Sequence, residues 1–197
     1  MNIAELFNDA SHVGSPKLAR QFSEPFGSDF PSWWAEAPCG SWMLWVAGLL
    51  DTPPKKLVTA ACDSARQSLR FIPSSETRPE AVIAVAEAWI EGHATIEDCR
   101  IAAESIGGVQ LELGEWLQSN PVPGINSAAA MLAVGAAEMP ANAVAFSGDR
   151  TWCANFVSQA ATRAAAAARH AIDDNAWWTM QKTCADLVRQ SIPELPA

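Results

Sequence analysis

The chain has 197 residues, 49% apolar and 18% charged, long enough for one core that buries roughly 70% of the unfolded surface and too apolar for a disordered chain. Thirteen Lys and Arg stand against 22 Asp and Glu, a formal charge of −9, which disfavours attraction to nucleic acid or anionic lipid and favours a basic protein partner. Five cysteines, at 39, 62, 99, 153 and 184, are odd in number and widely spaced, which argues against a disulfide framework and for a reducing, cytoplasmic location.

Residues 1–38 begin without a basic segment followed by an apolar one, so no secretory signal is expected. Pro16, Pro25, Pro31 and Pro38 lie among Ser, Gly and Asp, which predicts short helical pieces joined by turns. We expect this segment to form an arm packed on a single all-helical domain spanning 39–197. That domain opens with CGSWMLWVAGLL, residues 39–50, twelve residues without charge where a membrane-spanning helix needs about 20. Trp42, Trp45, Val46 and Leu49 recur at helical spacing, which predicts a short buried helix and no membrane insertion.

Thr52 followed by Pro53 reads as an N-cap with proline in the first turn, and Val58, Ala61, Cys62, Ala65, Leu69 and Ile72 then share one face. TRPE at 77–80 has the spacing of a capping box and starts the next helix, with Val82, Val85, Ala86 and Trp89 inward and Glu80, Glu87 and Glu91 outward. TIED at 95–98 repeats the capping logic, and Ile96, Cys99, Ala103 and Ile106 repeat the apolar period up to Gly107-Gly108. VQLELGEWL, 109–117, alternates like a strand at first but also fits a helix, and is assigned to helix. SNPVPGIN is a loop, after which alanine dominates; alanine favours helix and lets helices approach closely. A last helix, near Asp174 to Ile192, carries Trp177, Gln181, Cys184 and Val188 on one side. The expected fold class is all-α, a helical bundle of about seven to nine helices with short connections.

No metal-ligand spacing such as CxxC or HExxH occurs, His12, His93 and His170 are isolated, and neither a phosphate loop nor a GxSxG elbow is present. No metal, cofactor or catalytic residue is therefore expected. Cys62, Cys99 and Cys184 fall on apolar stripes and read as core. Trp42, Trp45, Trp89, Trp116 and Trp152 also fall on apolar stripes and read as core. The adjacent pairs Trp33-Trp34 and Trp177-Trp178 are harder to bury, because neighbours on a helix point about 100° apart. At least one ring of each pair is expected to meet solvent, the arm or a partner, which makes Trp33, Trp34, Trp177 and Trp178 candidate partner-binding residues.

The run CGSWMLWVAGLLDTPPKKLVTAACDSARQSLRFIP, then RPEAVIAVAEAWIEGHATIEDCRIAAESI and finally KTCADLVRQSIP resembles alanine-rich bacterial proteins described as hypothetical or as immunity proteins of polymorphic toxin systems. The likeness covers about half of the chain, residues 39–106 and 182–193. Residues 1–38 fall outside it, and Trp116, Pro121, Pro123, Pro140 and Trp152 interrupt the alanine-rich middle. On the matching positions, Asp63, Arg66, Arg78, Glu87, Asp186 and Arg189 could form a polar site, or else serve as ion pairs that join helices.

What the resemblance implies is a noncatalytic acidic binding protein that neutralises a protein partner such as a toxin or effector enzyme. Charge would speed association and aromatic anchors would slow release. The alternatives are a small-molecule or nucleotide-binding helical domain with a pocket walled by Trp42, Trp45 and Trp89 beside Arg66 or Arg78, an enzyme included, and a phage or mobile-element inhibitor of a host defence protein. Homo-oligomerisation through the alanine-rich helices is a further one.

Overall fold

The computed structural model describes residues 1–8, 10 and 13–195, and within them the chain folds into ten α-helices with short connections and no strand. His12 lies outside the described residues. The first 38 residues hold a 3-10 turn at Ala4–Phe7 and the short helices α1 (Pro16–Ser23) and α2 (Phe30–Glu36). The rest are α3 (Gly40–Leu49), α4 (Pro54–Arg66), α5 (Arg78–Glu91), α6 (Ile96–Ile106), α7 (Val109–Ser119), α8 (Ser127–Ala145), α9 (Arg150–Ala171) and α10 (Asp174–Ser191). This is an all-α helical bundle. Residues 109–119, which alternate at first like a strand, are helical.

The paired helices α8 and α9 form the spine. α8 packs on α4, α5, α6, α7 and α9, and α9 packs in addition on α3, α4 and α10. Alanine makes this possible: Ala129, Ala133, Ala136 and Ala137 of α8 and Ala160, Ala161, Ala164 and Ala168 of α9 are buried, and their small side chains bring backbones close. On length and composition α8 would also suit a membrane span; here five neighbouring helices cover it. α3 is gripped from two sides. A Cβ added at Gly40 would lie 2.5 Å from Cys184 Cβ, and one at Gly48 would lie 2.5 Å from Ala154 Cβ.

Capping follows local chemistry, with two corrections. Thr95 and Asp98 form the reciprocal box that TIED predicts, through Thr95 N to Asp98 Oδ2 at 2.8 Å and Asp98 N to Thr95 Oγ1 at 3.1 Å. Thr77 makes no such bond; the neighbouring Glu76 carboxylate accepts from Arg78 N at 3.0 Å instead. Nor does Thr52 cap α4. The helix starts one residue later than predicted, with Pro53 at the cap position. This leaves Thr52 Oγ1 as the one buried side-chain oxygen or nitrogen without a hydrogen-bond partner among the described residues.

Gln181 sits wholly buried where three elements meet. Its Oε1 accepts from Ser41 N at 3.1 Å and from the Cys39 thiol at 3.2 Å, and its Nε2 donates to Ala161 O at 3.5 Å. One amide therefore ties α10 to the start of α3 and to the middle of α9. A buried amide is tolerated only when it is bonded in this way.

Candidate functional site

Two of the four candidate tryptophans are not available to a partner. Trp33 and Trp34 are 0% and 5% exposed. The stripe argument does not apply to them, because the seven-residue α2 is wrapped from both sides rather than from one. Trp33 donates from Nε1 to Ser23 Oγ at 2.9 Å and packs on Phe7, whereas Trp34 donates to Ile192 O at 3.2 Å. Trp177 is half-buried, its ring lying against Gly14. Trp178 is 42% exposed and packs edge-on against Trp42 with ring centres 6.2 Å apart.

The six charged candidates separate into three groups, each tied to its surroundings. Arg66 of α4 makes a two-pronged pair with Glu87 of α5, both bonds 2.7 Å long, which holds its guanidinium firmly protonated. Asp63, one turn earlier, faces Ser191 of α10 at 3.4 Å. Burial raises its pKa, an effect opposed by the Ser191 hydroxyl, strengthened by Glu87 and opposed by Arg66. Arg78 instead bonds Glu76 and reaches Glu112 of α7 at 2.8 Å, and its bond lowers the Glu76 pKa. Arg189 donates to the carbonyls of Trp34 and Ala37 at the end of α2 and pairs with Asp186 at 3.2 Å. A cation at a helix C-terminus is favourable, and here it fastens α2 to α10. These geometries join helices to one another.

The free surface chemistry lies elsewhere, at the turn between α8 and α9. Phe146, Trp152 and Phe156 form a three-ring cluster with centroids 5.2 to 6.1 Å apart, Trp152 stacking on Phe156 at 27°. Phe146 is 44% and Trp152 51% exposed. Periodicity predicts Trp152 and Trp116 to be core; both are exposed, Trp152 in the first turn of α9 and Trp116 in the last turn of α7. The aromatics flanking the turn in FSGDRTWCANF were the available signal. The turn fixes the cluster firmly: Asp149 caps α9 by accepting from Trp152 N at 3.0 Å, and Arg150 pairs with Asp51.

Two cavities adjoin this end of the molecule. The larger, about 1120 Å³, is walled by Phe30, Pro31, Trp34, Leu49, Leu50 and Leu195, with Asp51, Arg150, Arg189 and Glu194 at its polar positions. Its two arginines are already bonded to Asp51, Asp186 and main-chain carbonyls. The smaller, about 370 Å³, lies beside Trp152 and is lined also by Trp45. Thus Trp45 borders a cavity, whereas the sequence reading grouped it with Trp42 and Trp89. Among the described residues no three His, Cys, Asp or Glu side chains gather as a metal centre would need.

Compared with known proteins, the chain matches no family model, no curated protein and no solved structure. The geometry of the chain itself therefore carries the functional argument. Six arginines, Arg66, Arg78, Arg100, Arg150, Arg169 and Arg189, are paired with carboxylates, and each pair cancels one charge of either sign, so the formal charge of −9 is unaffected by them.

Proposed function

We propose that the chain is an acidic, noncatalytic binding protein of the cytoplasm that neutralises a basic protein partner, such as a toxin or effector enzyme, in the manner of an immunity protein. The observation that carries this reading is the exposed pair Phe146 and Trp152, backed by the partly buried Phe156, on a protein of charge −9. Exposed large aromatics on a rigid turn are what interface hot spots are made of, and a negative field speeds encounter with a positive surface. Its test is binding of the partner recovered from the native host, then purified, to the wild-type chain and to a Phe146→Ser/Trp152→Ser variant. The double variant should bind at least about 100-fold more weakly, since each hot spot contributes on the order of 2 kcal/mol. Recovery of no stoichiometric partner, or equal binding by the variant, overturns the reading.

The 1120 Å³ cleft favours a second reading, that of a small-molecule-binding helical domain, because largely apolar concavities of this size are where small ligands bind. A thermal-shift screen separates the two: a small molecule bound there raises the melting temperature by mass action without any protein partner.

A further inference from the structure

Three arginines are half-buried, Arg66, Arg163 and Arg189. Arg66 faces Glu87 and Arg189 faces Asp186, whereas Arg163 of α9 pairs with none of the described carboxylates. Its Nη1 donates to Gly135 O at 3.3 Å and its Nη2 to Gln159 Oε1 at 3.1 Å, both neutral acceptors. Burial lowers its pKa and Glu138 opposes that shift, while the Glu138 carboxylate itself accepts from Asn142 Nδ2 at 3.0 Å. A charge taken out of water without a paired counter-charge is costly. Where such a charge borders a cavity, a bound anion recovers that cost.

Arg163 borders a groove of about 420 Å³ between α7, α8 and α9, walled also by Gln110, Ala128, Met131 and Leu132. Gly135 makes room at its polar end: a Cβ there would lie 2.6 Å from Arg163 Nη1 and 2.3 Å from the Gln110 carboxamide, so the missing side chain lets both polar groups converge over α8. Neither Arg163 Nε nor the Gln110 carboxamide bonds any described residue. Thr52 Oγ1 is the one enclosed, unpartnered side-chain atom among those residues, so both groups are reached from outside. Nε and Nη2 form the edge with which Arg66 grips both oxygens of Glu87; on Arg163 that edge holds only the neutral Gln159. A guanidinium edge matches a carboxylate in shape, and such bonds are stronger than those to neutral acceptors. From Gly135 back to Ala128 the groove is floored by apolar side chains over about two turns of α8, roughly 10 Å.

We infer that this groove binds a free aliphatic monocarboxylate, its carboxylate on the Nε–Nη2 edge of Arg163 beside Gln110 and its chain along Leu132, Met131 and Ala128. One guanidinium balances one negative charge; a dianion such as phosphate would leave an excess beside Glu138. The apolar floor of roughly 10 Å suits a chain of about six to eight carbons, and the volume lies at the small end of ligand pockets. The groove shares no residue with the Phe146 and Trp152 surface, so the two are tested apart.

The test titrates the full, isotope-labelled chain with hexanoate and octanoate, and in parallel with acetate, hexanamide and inorganic phosphate, following backbone amide NMR shifts in about 0.1 M salt, where repulsion from the acidic surface is screened. Hexanoate or octanoate should saturate with a dissociation constant of about 1 mM or below and should move the Gly135 amide. Acetate, which lacks the chain, hexanamide, which lacks the charge, and phosphate should each bind at least about 10-fold more weakly. Arg163→Gln should weaken hexanoate binding at least about 10-fold. Gly135→Ala presses only on the ends of the Arg163 and Gln110 side chains, so it should keep the fold, displace the guanidinium and weaken binding several-fold, which keeps the test decisive should the Arg163 variant fail to fold. Absence of saturation up to about 10 mM, binding of hexanamide or phosphate as tight as that of hexanoate, or indifference to Gly135→Ala overturns the inference. None of these outcomes bears on partner capture, which the Phe146/Trp152 variant tests independently.

Discussion

Gly48→Ala tests the central packing claim, that α3 and α9 touch backbone to backbone. A Cβ at Gly48 would lie 2.5 Å from Ala154 Cβ and 2.7 Å from Ala154 Cα, about 1 Å inside ordinary contact. Both opposing atoms belong to the helix itself, so no side-chain rotation relieves the clash, and the overpacking cost falls toward the upper end of about 1–3 kcal/mol. Alanine is a better helix former than glycine by about 1 kcal/mol. The difference leaves a net destabilisation of about 2 kcal/mol, which for a chain of this length lowers the melting temperature by about 4–8 °C. Urea and thermal unfolding at pH 7 read it directly. Gly107→Ala is the internal control, because a Cβ there meets only Glu104 O at 3.5 Å and its backbone is right-handed; the same substitution should be neutral or slightly stabilising. A Gly48→Ala protein as stable as wild type would refute the close approach of the two helices.

Gln181→Leu leaves the first-turn Ser41 N without its acceptor and removes the tie to Ala161 O and should lower stability by about 1–3 kcal/mol in urea unfolding; a neutral result would mean the amide does not join the three helices. Thr52→Val removes the orphaned hydroxyl and should be neutral or stabilising by up to about 1 kcal/mol, whereas a clear loss would show that the hydroxyl has a partner. Burial raises the thiol pKa of Cys39, Cys99 and Cys153 to about 11 and of Cys184 to about 12, and raises that of Cys62 further. A disulfide reagent at pH 8 should therefore label none of the five in the native protein within minutes and all five in urea. Asp63 has a folded-state pKa raised above the unfolded value of about 3.9, so its cost to the fold is absent below that value, grows as pH rises and is complete above the folded pKa. Asp63→Asn should accordingly be more stable than wild type at pH 7 and equal to it near pH 3, and the opposite pH trend would show that pairing outweighs burial.

Helix identity was legible wherever a stripe and a stop coincided. Thr95 with Asp98 foretold a cap that the fold uses, and the glycine pair after Ile106 foretold the end of α6. Failures arose where two groups compete for one role. Glu76 outbids Thr77 at the start of α5 because its longer carboxylate reaches Arg78 N and the Arg78 guanidinium together. At α4 the two consecutive prolines leave Thr52 one residue short of the cap. Such contests are settled by reach within an ångström, which spacing alone does not encode.

The tryptophans show the same limit from the functional side. Periodicity says which residues share a helix face, but not whether a neighbouring element covers that face. Trp33 and Trp34 look unburiable on one helix and are buried, because Ser23 and Phe7 from one side and Ile192 from the far end of the chain close over them. Trp152 lies on a stripe that looks like core and is exposed, because in the first turn of α9 the side facing α3 is taken by Ala154, against Gly48, and not by the indole. A partner-binding aromatic is therefore recognised by what the tertiary fold leaves uncovered. On this acidic chain the uncovered rings of Phe146 and Trp152 are where the proposed basic partner would find both apolar area and a favourable field.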